Sequence, residues 1–351
     1  MKATLILTAA AATTIAVAAS QANADPGTVE RFPGADRIVV KDFIGRIEIA
    51  GAGASSDITA LIKDGDSDYP LTMREENGAL VIAGEPRSKN FKLWKKLGRN
   101  GFGRNAFDEF LADYPAIQIV APSGVDVSFD EVIGTAKGGD LGRLVVEEGT
   151  IEGNFGDLLS ADIEIDGMGD MEVGRIQEDL TVKIGGSGNL EALSSGPAKL
   201  TIGGSGDIAI GQVNGPSDVS IGGSGDVQLA DVKGPFVAKI NGSGDITAGN
   251  IEGGAIVSIS GSGDIIIGQI DGPSSVRISG GGDVDIDGGR AENFRISIAG
   301  SGDVNFGGTS TNLDVTIAGS GDVSVAKNEG SLKTQGDGTV RVGDKTYRRK
   351  R

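Results

Sequence analysis

Eight aspartates and one asparagine recur at near-constant spacing through the second half of the chain. They are Asp170, Asn189, Asp207, Asp226, Asp245, Asp264, Asp283, Asp303 and Asp322, separated by steps of 18 to 20 residues. Each closes a glycine-rich corner, as in "SIGGSGDVQLA" from Ser220 to Ala230. Carboxylates repeated in this way could ligate calcium, which takes oxygen ligands, or act in pairs on a glycosidic bond. They could also do no more than turn the chain. The calcium-binding solenoid repeat G-G-x-G-x-D-x-U-x is nine residues long, whereas here the aspartate follows the last glycine directly and one corner occurs per 19 residues. Local hydrogen bonding of Ser and Asp to the amides of their own turn is therefore the favoured reading, with a calcium-dependent solenoid as an alternative. Glycine at the corner supplies positive φ or close backbone approach.

Other chemistry is bounded by what the chain lacks. With no histidine and no cysteine, Ser-His triads, His-ligated zinc, thiolate metal sites and disulfides are all excluded. Any catalysis would rest on carboxylates, lysine, arginine or tyrosine. A carbohydrate-active β-helix enzyme is the runner-up reading on that ground, but the repeats are nearly uniform and the least regular link, "DIDGGRAENFR" (Asp285 to Arg295), is short. A phosphate-binding loop is ruled out, because "GGSGD" lacks the following Lys-Ser/Thr and ends in a carboxylate. A formal charge of −17 repels nucleic acid. No cofactor and no catalytic residue are expected.

The elements that position the aspartates follow the same clock. Counting from the Asp, positions −7, −5, +1 and +3 are almost always apolar, as in Val219, Ile221, Val227 and Leu229 or Val257, Ile259, Ile265 and Ile267. Polar residues such as Ser220 and Gln228 alternate with them, which marks short strands with one buried face. A further apolar residue at +6 (Val213, Val232, Ile251, Ile270) marks a third short side. Units this small cannot bury their own apolar face and must stack. The fold class expected is all-β: a parallel β-helix or β-solenoid with 19-residue coils, right-handed by the crossover rule. Nine coils at ~4.8 Å each make a rod of about 43 Å. Before Asp170 the period decays, and "AKGGDLG" (Asp140) and "GNFGDLL" (Asp157) read as degenerate corners.

Four regions are expected. Residues 1–24 read as a signal peptide, with Lys2, an apolar core and the cleavage site Ala22-Asn23-Ala24; no later run is long enough to span a bilayer. Residues 25–120 read as a β-rich region that caps or begins the solenoid, 121–345 as the repeat solenoid, and 346–351 as a basic tail. The first of these carries a segment from Arg87 to Tyr114 that concentrates cations and aromatics and reads as a partly helical insertion or a long loop. Its Lys92, Trp94, Lys95, Lys96 and Arg99 are the interaction candidates, suited to weak contact with an anionic surface or acidic glycan through residues 87–104. The competing reading folds the aromatics back over the solenoid and leaves the lysines in solvent.

Tandem "GSGD" corners, as in "ISGSGDIII" and "IAGSGDVNF" after a β-rich start, resemble the bacterial "putative adhesin" family, whose repeat is the autotransporter-adhesin head or GIN domain. The resemblance covers roughly residues 35 to 340 and implies an exported β-solenoid, periplasmic or on the cell surface, with no established catalytic residues to carry over. No C-terminal membrane barrel of strands of ~9–11 residues is read here, so self-export is not expected. The function expected is that of a non-enzymatic adhesin-like or envelope interaction protein. Its partners would be an envelope or surface polysaccharide or protein, met by ladders such as Lys239, Ser258 and Arg277 along one face.

Overall fold

The computed structural model describes residues 27–51, 56–64, 69–84 and 104–348. It is a parallel β-solenoid in which equivalent strands pair one coil apart. One stack runs through Ser217–Ile221, Phe236–Ile240 and Ala255–Ile259, with Val219, Ala238, Val257 and Val276 in register. The second runs through Val227–Val232 and Ile246–Glu252, with Val227, Ile246, Ile265 and Val284 in register. The +6 residues Val213, Val232, Ile251 and Ile270 pair as a third, short side. The inward residues of all three sides are sealed from solvent and form one continuous core. Burying each such Val, Ile or Leu stabilises by about 1.5–3 kcal/mol, and β-branched side chains fit the pleated surface. Aromatic side chains enter the same core, as where Phe294 and Phe306 meet edge to face at 5.1 Å.

The corner glycines act through proximity. Neither Gly223 nor Gly225 takes a left-handed φ. A Cβ on Gly223 would instead overlap the carbonyl oxygen of Gly204, and one on Gly225 that of Gly206; the same holds for Gly242, Gly244, Gly261 and Gly263 in the next coils. Between them the Ser224 amide donates to the Gly204 carbonyl at 2.9 Å, and the Ser243 amide to Gly223 at 3.0 Å. Of the two roles open to glycine here, close backbone approach is the one used.

Register corrects the expectation for Asp140 and Asp157. Strand pairing places Glu152 and Thr135 next in line before Asp170. Asp140 and Asp157 belong to a different edge of the coil, in file with Arg175, Ser194, Gln212 and Asp231. They share the local pattern Gly-Asp with the true corners but follow the second strand of the coil instead of preceding it.

At the N-terminal end the chain doubles back. Arg37–Lys41 lies between Ala79–Ala83 and Asp126–Asp130, and Ile44–Gly51 between Ala116–Ala121 and Ile133–Gly138. The outermost strands run antiparallel: Thr72–Glu76 on Ala79–Ala83, and Val29–Phe32 on Ile58–Asp64, which itself lies on Ala116–Ala121. Charged residues on these edges, such as Arg31, Glu75 and Glu76, discourage further strand addition. The helix Arg104–Leu111 packs Phe107 and Leu111 on Ile44 and Ile133, outside the main core. Tyr69 joins this patch; its hydroxyl accepts from the Ile44 amide at 2.9 Å, and its ring meets Tyr114 edge to face at 5.7 Å. At the other end Val340–Val342 pairs antiparallel with Lys345–Tyr347.

A methyl group at the corner tests the close-approach account. Gly225→Ala should lower the unfolding free energy by about 1–3 kcal/mol, the usual cost of overpacking. Gly222→Ala, whose Cβ would meet nothing nearer than the Ile202 carbonyl at 3.8 Å, should cost little. Urea titration of the two variants beside the parent chain reads the difference; equal losses would refute the account.

Candidate binding face along the carboxylate file

The aspartates form an uninterrupted hydrogen-bonded file. Each side chain accepts, through Oδ1, from the backbone N–H of its counterpart one coil on: the Asp226 amide donates to Asp207 at 2.8 Å, Asp245 to Asp226 at 2.8 Å, Asp264 to Asp245 at 2.7 Å and Asp283 to Asp264 at 2.8 Å. Asn189 fits the same slot, taking the Asp207 amide at 2.8 Å, and the file ends where the Thr339 amide donates to Asp322 at 3.0 Å. The partner is thus the next coil's amide, not the turn's own, as the spacing of the corner had suggested. The reason is geometric: coils rise ~4.8 Å, which a short Asp side chain directed along the rod spans.

Electrostatics agree with this arrangement. Neighbouring carboxylates ~4.8 Å apart repel by about 1 kcal/mol in water. A hydrogen bond to a charged acceptor contributes about 1.5–3 kcal/mol, so each bond offsets the repulsion from a neighbouring carboxylate at the solvent-exposed surface. Asp207, Asp226, Asp245, Asp264, Asp283 and Asp303 remain exposed. Among the described residues no three acidic side chains converge as metal ligands would.

Beside the file lies a trough. The outward row of the second stack comprises Glu172, Glu191, Ala209, Gln228 and Thr247, aligned by strand pairing. Two positions further on the residues are mostly small, Gly174, Gly211, Ala230 and Gly249, because the coils approach there too: a Cβ on Gly211 would overlap the Leu193 carbonyl, and one on Gly249 that of Ala230. The far wall carries Ser194, Gln212 and Asp231, and Asp231 accepts from the Asn250 amide at 2.8 Å. Two open hollows lie along this face. One of about 500 Å³ is lined by Glu172, Glu191, Leu193, Gly211 and Gln228; the other, of about 390 Å³, by Asp207, Asp226, Asp245, Ala209 and Thr247. Leu193 is 64% exposed at the trough floor. Shallow, repeated and open, the face can hold an extended chain by many similar contacts, and it offers no enclosed reaction chamber.

On the first stack the Lys239, Ser258 and Arg277 ladder is in register as read from the sequence. Charges elsewhere on the sides pair one coil apart. Lys183 meets Glu164, and Lys233 reaches Glu252 at 2.6 Å, each lysine pKa being raised first by the hydrogen bond to its glutamate. Such exposed pairs contribute little each. The interaction candidates Lys92, Trp94, Lys95, Lys96 and Arg99 lie outside the described residues.

One feature without a signal in the repeat is an acidic turn in the early coils, where Asp42, Glu131 and Glu148 take left-handed φ of 51°, 50° and 43°. Burial, then Asp42 and Glu148, push the neighbouring Asp130 carboxyl above its ordinary value, against an opposing pull from Lys41.

Two outcomes follow from these geometries. Asp226→Ala should cost about 1–3 kcal/mol by leaving the Asp245 amide without its acceptor, whereas Asp226→Asn, imitating Asn189, should lose much less; thermal unfolding of the pair decides. A raised folded pKa makes the charged Asp130 a destabilising group above that pKa, relieved as pH falls through it. Asp130→Asn should therefore be more stable than the parent at pH 7, with the gap closing as pH falls toward 4, about the ordinary carboxylate range. A gap that is constant with pH would contradict the raised value.

No curated protein matches the chain. Among solved structures, a putative adhesin from Bacteroides fragilis is similar at 15% identity and a TM-score of 0.25, covering 90% of this chain and 96% of that one. A structure described as a putative lipid binding protein from Parabacteroides distasonis is similar at 16% identity and a TM-score of 0.24, covering 88% of this chain and 96% of its own. Residues 212–343 match the family described as "Putative auto-transporter adhesin, head GIN domain", to which the repeated GSGD corner points.

Proposed function

We propose that this chain is an exported, non-enzymatic interaction protein of the bacterial envelope, whose trough-bearing face binds an extended polysaccharide or polypeptide. The observation that carries the reading is the in-register repetition of the carboxylate file and the trough over successive coils. A polymer with its own repeat can meet the same side chains again and again, so that weak single contacts sum through effective concentration. The adhesin head description of residues 212–343 supports a binding role. Export is supported by the apolar, small-residue stretch of residues 1–24. The division into a capping region, a repeat solenoid and a basic tail, and the role of Lys92, Trp94, Lys95, Lys96 and Arg99 as an accessory contact, belong to the same proposal.

A panel of envelope and surface polysaccharides, offered to the immobilised protein, tests the reading. Retention of at least one polymer should fall by about tenfold or more when Ala209 and Ala230 are both replaced by Arg, which fills the trough without touching the core; removal of one hot contact commonly costs that much. Protease added to intact cells, with a periplasmic marker as control, then separates surface from periplasm. No polymer retained, or retention indifferent to the trough substitutions, would sink the proposal.

A further inference from the structure

Charge is segregated along the rod. Residues 115–326 hold 31 Asp and Glu against 10 Lys and Arg, whereas residues 327–351 hold eight Lys and Arg against three Asp and Glu. The fold gathers the described Lys333, Arg341, Lys345 and Arg348 at one end. Leu332–Gly336 is the last strand of the first stack, bonded to Leu313–Ile317, and Val340–Val342 lies on Val323–Val325 before the turn at Gly343 and Asp344 brings Lys345–Tyr347 back beside it. Lys333, Arg341, Lys345 and Arg348 are all exposed there. Among the described residues none of the four is in an ion pair, although Asp314, Asp337 and Asp344 lie in the same coils; Lys327, one coil in, is instead held by Glu329 at 2.7 Å, which also takes Arg290 at 3.0 Å. Arg348 and Tyr347 line an open hollow of about 370 Å³ with Thr334, Gln335 and Gly336. The chain then continues as Arg349-Lys350-Arg351.

We infer that this basic end docks on an anionic phospholipid surface and holds the rod end-on. Each Lys or Arg near such a surface contributes about 1 kcal/mol. The attraction and repulsion fade over a Debye length of about 8 Å at physiological salt, and each coil rises ~4.8 Å. Standing on this end, the rod carries its aspartates out of range within about two coils. Lying on the face that bears the file, it would press those carboxylates against a surface of its own sign, and the sides together carry the acidic excess of residues 115–326. A second copy fits the end less well. Its outermost strand presents Lys333, Thr334 and Gln335, all exposed, and its apolar surface is limited to the half-buried Leu332, Val342 and Tyr347. Lysine on an edge strand opposes strand-to-strand addition.

The test uses the full chain and vesicles of phosphatidylcholine with and without phosphatidylglycerol. Binding should require the anionic lipid, weaken with added salt, and fall about tenfold or more in the variant Lys333→Gln, Arg341→Gln, Lys345→Gln, Arg348→Gln, all at exposed positions. Because the chain has no cysteine, single probes can be placed by Thr346→Cys at the end and Ser224→Cys at mid-rod. A headgroup quencher should reach the first and spare the second. The inference is overturned if the four substitutions leave binding unchanged, if both probes are quenched alike, or if binding is lost only on Lys92→Glu, Lys95→Glu, Lys96→Glu. Self-association by sedimentation that depends on the four cations, with no vesicle binding, would overturn it in favour of a second copy.

Discussion

The backbone spacing between parallel coils, ~4.8 Å, is the constraint on which the rest of the molecule depends. Hydrogen bonds between equivalent strands impose it along both long sides, and the corners must then keep the same separation. A chain that turns sharply at that pitch has no room for Cβ atoms pointing along the axis, which is why Gly223 and Gly225 face the carbonyls of Gly204 and Gly206. The same pitch sets the reach of the aspartates, whose short side chains span one coil to the next amide. It also aligns the inward Val and Ile of successive coils so that like side chains stack on like. Core, corner and surface file are three results of one distance.

Much of this was legible from residue spacing, because a period repeated nine times over averages out local irregularity. The strands, the third side and the Lys239–Ser258–Arg277 ladder could be placed by counting from the aspartate. Counting failed where repetition stopped. Asp140 and Asp157 sit behind glycine like the corner residues, yet pairing puts Glu152 and Thr135 in that file, since a short pattern does not reveal which edge of the coil it occupies. The nested N-terminal coils, with Arg37–Lys41 inserted between strands from later in the chain, depend on pairings across long loops that leave no period at all. The direction of the aspartate bonds was hidden for another reason: a side chain that can reach its own turn or the neighbouring coil has the same sequence in both cases, and only the pitch decides.

The surface this frame produces is one of repetition instead of singularity. An enzyme site draws unlike groups together in one enclosed place, whereas here successive coils offer similar shallow strips: an Asp or Asn, an outward residue that is polar in most coils, and usually a glycine or alanine. Charge follows the frame as well. Arg175, Lys183 and Lys233 on the sides are answered by acids one coil away, while the acidic turn around Asp130 falls in the early coils, where the regular corner has not yet begun.

The hydrogen-bonded file has an architectural corollary. Every bond in it joins the side chain of one turn to the amide of the next, and Asn189 shows that even the residue type can vary within the amide-accepting set. No turn between Asp207 and Asp303 possesses a unique neighbour. Duplication or excision of a whole turn leaves the same bonds on both sides of the join. The gene can therefore lengthen or shorten the rod in steps of about 4.8 Å by changing copy number, and the chemistry it presents sideways stays the same while its reach changes.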